Sequence, residues 1–166
     1  MIGLRKGLYI LNAEDRLVEP SRYYLANQIF IPSYVSLESA LAYYGLIPEH
    51  VAAITSVTVR KTCRFENALG IFSYQHVQPK GFGGFDAIRE NEKISFLMAS
   101  PEKAVVDFLY LNLSKFHLSD RKVFQESYRF QNCEDINPKK LKNFAERFQV
   151  RKLLTLVEHF IREAVQ

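Results

Sequence analysis

The eighteen residues from Pro32 to Glu49, PSYVSLESALAYYGLIPE, place the start, apolar stripe and stop of one helix so close together that the surrounding chain has few options. Ser36 is positioned as an N-cap, its hydroxyl able to accept a hydrogen bond from an unpaired amide of the first turn. Glu38 sits where a carboxylate favours the positive helix end. Leu37, Ala40, Leu41 and Tyr44 fall at i, i+3, i+4 and i+7 and make one apolar face. Gly45 supplies a left-handed stop, Leu46 and Ile47 can fold back on the last turn, and Pro48 prevents resumption. The stretch predicts a short, well-delimited helix with a buried face.

Upstream, Leu8–Leu11 is a strand candidate and Asn12–Asp15 the polar turn after it. Pro20-Ser21 then opens a helix over Arg22–Phe30, although Ile29–Ile31 reads equally well as a strand running into Pro32. From Val51 to Met98 the apolar period changes to 2. Ala53–Val59 is β-branched, and Thr62–Phe65 and Leu69–Tyr74 flank Glu66-Asn67-Ala68, a hairpin-like turn in which Asn67 tolerates positive φ. Gln75–Gln78 prolongs the second of these strands. Pro79-Lys80-Gly81-Phe82-Gly83-Gly84 is a loop or bulged bend, because three glycines in four positions cannot specify a regular element. Phe85–Ile88 and Ile94–Met98 flank the polar turn Arg89–Lys93. Ser100-Pro101 pairs a capping hydroxyl with proline at the first helical position and opens a helix apolar on most sides. Helices over Ser119–Phe130, Asn137–Phe148 and Val150–Val165 complete the chain. This order predicts an α+β fold, with a mostly antiparallel sheet of four to five strands packed against helices and a C-terminal helical portion. Residues 1–113 form the expected core, and residues 114–166 pack on it as part of one domain.

The composition, 48% hydrophobic and 24% charged, is that of a globular chain. The net charge of +4 is unevenly placed: residues 1–113 carry 11 Lys+Arg and 11 Asp+Glu, whereas residues 114–166 carry 11 and 7. The excess lies in the C-terminal third, which suits either a solvated helical face or an acidic partner such as nucleic acid. Its basic clusters are Lys139, Lys140 and Lys142, near a helix start where their charge gains nothing from the dipole, and Arg151-Lys152. Arg5-Lys6 and Arg60-Lys61-Arg64 are the others. No signal-peptide pattern opens the chain and no apolar run is long enough for a bilayer span, so a cytoplasmic location and no membrane partner are expected.

No set of residues has the pattern of a catalytic or metal site. Cys63 and Cys133 are far apart, without a CxxC pair or a His at ligand spacing, and read as buried or incidental thiols. His50, His76, His117 and His159 are scattered. The glycine-rich bend lacks the GxxxxGK order of a phosphate loop, and Ser36 and Ser39 lack the GxSxG elbow of a nucleophile. Glu92-Lys93 and Glu102-Lys103 lack the intervening residue of a nuclease Glu-x-Lys. Glu102, at a helix start, suits the dipole, and Lys103 and Asp107 are four apart, close enough for an ion pair. They read as a helix anchor or as a buried cluster that positions a partner-binding surface. No enzyme activity, cofactor or small-molecule substrate is expected.

Several spaced blocks carry a resemblance: Tyr23-Tyr24-Leu25-Ala26, the run Pro32 to Leu41 with Gly45-Leu46, and Ala99-Ser100-Pro101-Glu102-Lys103-Ala104 with Asp107 and Leu109-Tyr110-Leu111. Together these resemble the AbiEi family, antitoxins and transcriptional regulators of type IV toxin–antitoxin and abortive-infection systems, over roughly Gly7 to Leu113. The resemblance implies a non-enzymatic antitoxin whose partner is a nucleotidyltransferase-type toxin, neutralised directly or indirectly. It also implies autorepression through an N-terminal winged helix-turn-helix. Here the opening residues Met1 to Tyr9 resemble only the final wing strand of that module, so operator DNA binding by this chain alone is expected to be weak or absent. The alternative is a nucleic-acid-binding regulator that uses the basic C-terminal helices, with Arg5, Lys6, Lys139, Lys140, Lys142, Arg151 and Lys152 as its contact residues.

Overall fold

The structure, a computed structural model, describes residues 1–120 and 122–166. Among the described residues, eight strands, β1 (Ile2–Arg5), β2 (Leu8–Ile10), β3 (Ser33–Val35), β4 (Ala53–Thr58), β5 (Cys63–Asn67), β6 (Gly70–His76), β7 (Phe85–Arg89) and β8 (Ser95–Ala99), are joined by five α-helices. The helices are α1 (Arg22–Ile29), α2 (Leu37–Tyr43), α3 (Pro101–Leu111), α4 (Pro138–Phe148) and α5 (Arg151–Phe160). The fold is α+β, as the order of patterns predicts. β1 and β2 form a separate hairpin that packs along β5.

The main sheet has six strands in the order β5-β6-β4-β3-β8-β7 and is mixed, which corrects the expectation of four to five mostly antiparallel strands. β3/β4, β5/β6 and β7/β8 pair antiparallel, whereas β4/β6 and β3/β8 pair parallel. Short connections do make each hairpin antiparallel. The β5–β6 hairpin, however, docks with its second strand inward, so β6 lies parallel to β4. The extra strand is β3, three residues buried on both sides, which has no polar alternation to announce it.

Strand alternation assigns the faces. Tyr34, Val57 and Gln75 share one face because they are register partners, and Ser56 and Tyr74 share the other. α1 covers the Tyr74 face: the Tyr74 hydroxyl donates to Ala26 O at 2.6 Å, and the Asn27 side chain bonds both backbone groups of Leu97. α1 ends at Ile29, with Phe30 extended, which settles the helix-or-strand alternative there. α3 covers the Tyr34 face, and α4 and α5 pack behind it.

The stop of α2 forms as its sequence predicts. Gly45, at φ 70°, occupies the left-handed position; its N–H bonds Ala42 O at 3.0 Å and that of Leu46 bonds Leu41 O at 2.8 Å. Leu37, Ala40 and Leu41 are buried, and the half-buried Tyr44 donates its hydroxyl to Ala99 O at 2.9 Å. The β5–β6 turn differs in detail. Its positive φ belongs to Gly70, while Asn67 ends β5 and uses its side chain, accepting from Leu69 N at 2.8 Å and donating to Leu4 O at 3.0 Å.

The helices over Asn137–Phe148 and Val150–Val165 form, the first capped by the Asn137 side chain on two amides and the second ending in a wide turn over Ile161–Val165. The helix expected over Ser119–Phe130 does not. Arg121 lies outside the described residues, and the rest contains one wide turn, Val123–Ser127, between left-handed Lys122 and Arg129. Glu163 satisfies the Phe124 and Gln125 amides at 2.9 and 3.0 Å, which an α-helix would have had to leave to solvent or to itself.

The glycine bend is where α4 meets the sheet. A Cβ at Gly81 would collide with the ring of Phe148, which is buried and tilted against Tyr110 with the ring centres 4.2 Å apart. Gly81→Ala is therefore expected to lower stability by about 1–3 kcal/mol in denaturant unfolding, the usual cost of overpacking. Gly3→Ala, where a Cβ meets its nearest neighbour at an ordinary 3.6 Å, is expected to change it little.

Candidate functional site

α3 is buried along almost its whole length, yet three of the residues in its first two turns are charged. Ser100 starts the helix by accepting from Lys103 N at 3.2 Å. One turn in, Lys103 and Asp107 stand on the same side, both fully buried, and their side chains form an ion pair. The carboxylate is surrounded by donors. Besides Lys103 Nζ, Asp107 accepts from Tyr34 Oη at 3.0 Å and from Ser36 Oγ at 2.9 Å, and Lys103 Nζ donates to Tyr34 Oη at 3.1 Å. The ammonium also sits between two rings, 5.6 Å from the centre of Tyr34 and 5.0 Å from that of Phe148.

Burial raises the Asp107 carboxyl above the ordinary carboxylate range, and Lys103 and the two hydroxyl donors oppose that shift. Burial lowers the Lys103 ammonium, opposed by Asp107. Burial and the neighbouring carboxylate push the Tyr34 phenol up, so it stays a donor. Each charge thus offsets part of the burial cost of the other.

Ser36 therefore does not cap α2 through its side chain, contrary to the sequence expectation, because its hydroxyl is given to Asp107. Thr55 of β4 takes over that role. Its Oγ1 accepts from Ser39 N at 3.0 Å and donates to Ser36 O at 2.7 Å, while Ser39 Oγ accepts from Thr55 N at 2.8 Å. The chain turns so sharply between β3 and α2 that Leu37 adopts φ 57°, a left-handed conformation costing a residue with a Cβ about 1–2 kcal/mol. Hydrolases present a nucleophile on such a strand-to-helix turn. Here the strained residue is leucine and the adjacent hydroxyl is buried and engaged, so the turn serves packing.

The other predicted residues divide by role. Glu102 does more than suit its own helix: Oε1 accepts from Asn137 N at 3.1 Å and ties the start of α4 to that of α3. Lys152 donates to Leu113 O at 2.7 Å, and Arg5 donates to Ile29 O at 2.6 Å, so both hold backbone. Arg60 lies 4.3 Å over the Phe30 ring and Arg64 pairs with Glu66 at 3.3 Å. Lys139, Lys140, Lys142 and Arg151 are exposed on α4 and at the start of α5, on different elements from Lys6 in the β1–β2 hairpin. Glu38 is half-buried on the first turn of α2. Among the described residues, no group of three or more His, Cys, Asp and Glu side chains is placed to hold a metal, and the two cysteines are unpaired.

Tyr34 and Thr55 are the network and capping members that residue-by-residue reading missed. A tyrosine in a three-residue buried strand is the available signal for the first, since a buried phenol needs a partner. No protein family's sequence pattern, no curated protein and no solved structure matches the chain.

The network predicts an asymmetric mutational response. Lys103→Met and Asp107→Leu, each stranding a buried charge, are expected to cost about 3–5 kcal/mol, whereas the double substitution is expected to recover most of that loss. Denaturant unfolding of the three variants checks it; a double variant as unstable as the sum of the singles contradicts it.

Proposed function

We propose that this protein is an antitoxin-type scaffold of a type IV toxin–antitoxin, or abortive-infection, module that acts in the cytoplasm and neutralises a nucleotidyltransferase-type toxin. The reading rests on the AbiEi resemblance. One observation supports it: two of the blocks that carry the resemblance, far apart in the chain, meet in one buried network, with Tyr34 and Ser36 from the first contributing donors to Lys103 and Asp107 of the second. A spaced pattern whose members pack on one another is what a shared scaffold requires. No helix among the described residues is long and apolar enough to cross a membrane.

The second reading, a nucleic-acid-binding regulator, is favoured by the exposed Lys139, Lys140, Lys142 and Arg151, none of which is ion-paired among the described residues. Co-expression with a nucleotidyltransferase-type toxin encoded beside its gene is expected to restore growth. Failure to rescue, or no such neighbouring gene, contradicts the antitoxin reading. In parallel, DNA anisotropy is expected to give weak or no operator binding at physiological salt. Nanomolar, sequence-selective binding whose salt slope shrinks when Lys139, Lys140 and Lys142 are changed to Glu would favour the regulator, since each lost phosphate contact lowers the slope by about 1.

A further inference from the structure

Two adjoining cavities open where α3 runs out over the sheet. One, of about 420 Å³, lies between the 47–52 loop and the 127–130 segment; the other, of about 380 Å³, lies against Thr55, Ser73 and Gln75 of the sheet. They share Glu38, Val51, Asn112 and Lys115 and so form one groove. Each volume falls within the span of about 300–1,000 Å³ occupied by small-molecule sites.

The walls of the first cavity are tied together. Gln131 N donates to Leu46 O at 2.9 Å, Asn132 Nδ2 donates to Gly45 O at 2.9 Å, and Glu49 pairs with Arg129 at 3.4 Å. Phe108, Phe130 and Ile47 supply its apolar lining, with the half-buried Tyr128 beside them. Glu38 and Lys115, of opposite charge, both line the groove and have no ion-pair partner among the described residues. Asn112 donates Nδ2 to Phe108 O at 2.8 Å, and its Oδ1 has no protein donor among the described residues. The fully buried charges of this protein meet each other; here two opposite charges stand unjoined over an aromatic surface.

We propose that the groove binds a compact zwitterion with an apolar body, such as a free apolar α-amino acid. Its ammonium is received by Glu38, its carboxylate by Lys115, and its side chain by Phe108, Tyr128 and Phe130. The two opposite charges and the aromatic lining match the poles and the body of such a molecule. The ligand is an effector rather than a substrate, and the assignment does not depend on the antitoxin reading.

Amide-resonance titrations of the whole protein with L-phenylalanine, L-tyrosine and L-leucine test it. The single-charge probes are phenethylamine and 3-phenylpropionate, and the variants are Glu38→Gln and Lys115→Gln. Saturable shifts confined to groove residues are expected for at least one amino acid, weakened about tenfold or more in either variant and for either single-charge probe. Because Glu38 is only half-buried and Lys115 is exposed, both variants are expected to fold, and wild-type spectra elsewhere keep the comparison valid. No saturable shift with any of the three amino acids, or equal affinity in wild type and variants, overturns the assignment.

Discussion

The ion pair between Lys103 and Asp107 is the interaction on which the rest of the structure depends. Two charges removed from water carry a desolvation cost of several kcal/mol each, and only close pairing together with further hydrogen bonds offsets it. Tyr34 and Ser36 provide those bonds, and the Tyr34 and Phe148 rings fill the space around the ammonium. The network thus needs β3, the start of α2, α3 and α4 to be in place at once. An arrangement without β3 or the start of α2 takes hydrogen bonds from the Asp107 carboxylate, and one without α4 removes the Phe148 ring from the ammonium, which makes the network a device for specifying one packing rather than a source of stability.

The local irregularities follow from that demand. Ser36 gives its hydroxyl to Asp107, so the first turn of α2 is capped from β4 by Thr55, and the reversal between β3 and α2 forces Leu37 into a left-handed conformation. The C-terminal helices are fastened to the same centre by bonds between elements: Glu102 to Asn137, Lys152 to Leu113, and Gln78 to Phe148 O at 2.7 Å. Phe148 is the common element, pressed on Gly81 and facing Lys103. The basic third of the chain is therefore joined to the sheet that the rest builds.

Those parts of the fold governed by nearest neighbours were legible in the sequence. Pro101 after Ser100, Pro138 after Asn137 and Gly45 after the α2 stripe each mark a helix end through backbone chemistry that needs no distant partner. The i,i+4 spacing of Lys103 and Asp107 marked their pairing. What escaped depends on residues far away in sequence. Strand order is decided by how the β5–β6 hairpin docks, β3 is too short to show a period, and the segment around Phe124 takes its amide partners from Glu163. The role of Ser36 was misread for the same reason: a local cap and a distant carboxylate compete for one hydroxyl, and the spacing of residues names only the first.

In the functional reading the protein is a scaffold held by a buried polar centre, leaving its outer surfaces to partners and its groove to a small effector. That account stands on α3 opening only when the whole molecule does. Native-state hydrogen exchange measures this directly. The α3 amides from Val105 to Leu109 should exchange with an opening free energy equal to that of global unfolding and with the same denaturant dependence. Exchange of those amides through a smaller, denaturant-insensitive opening would contradict it.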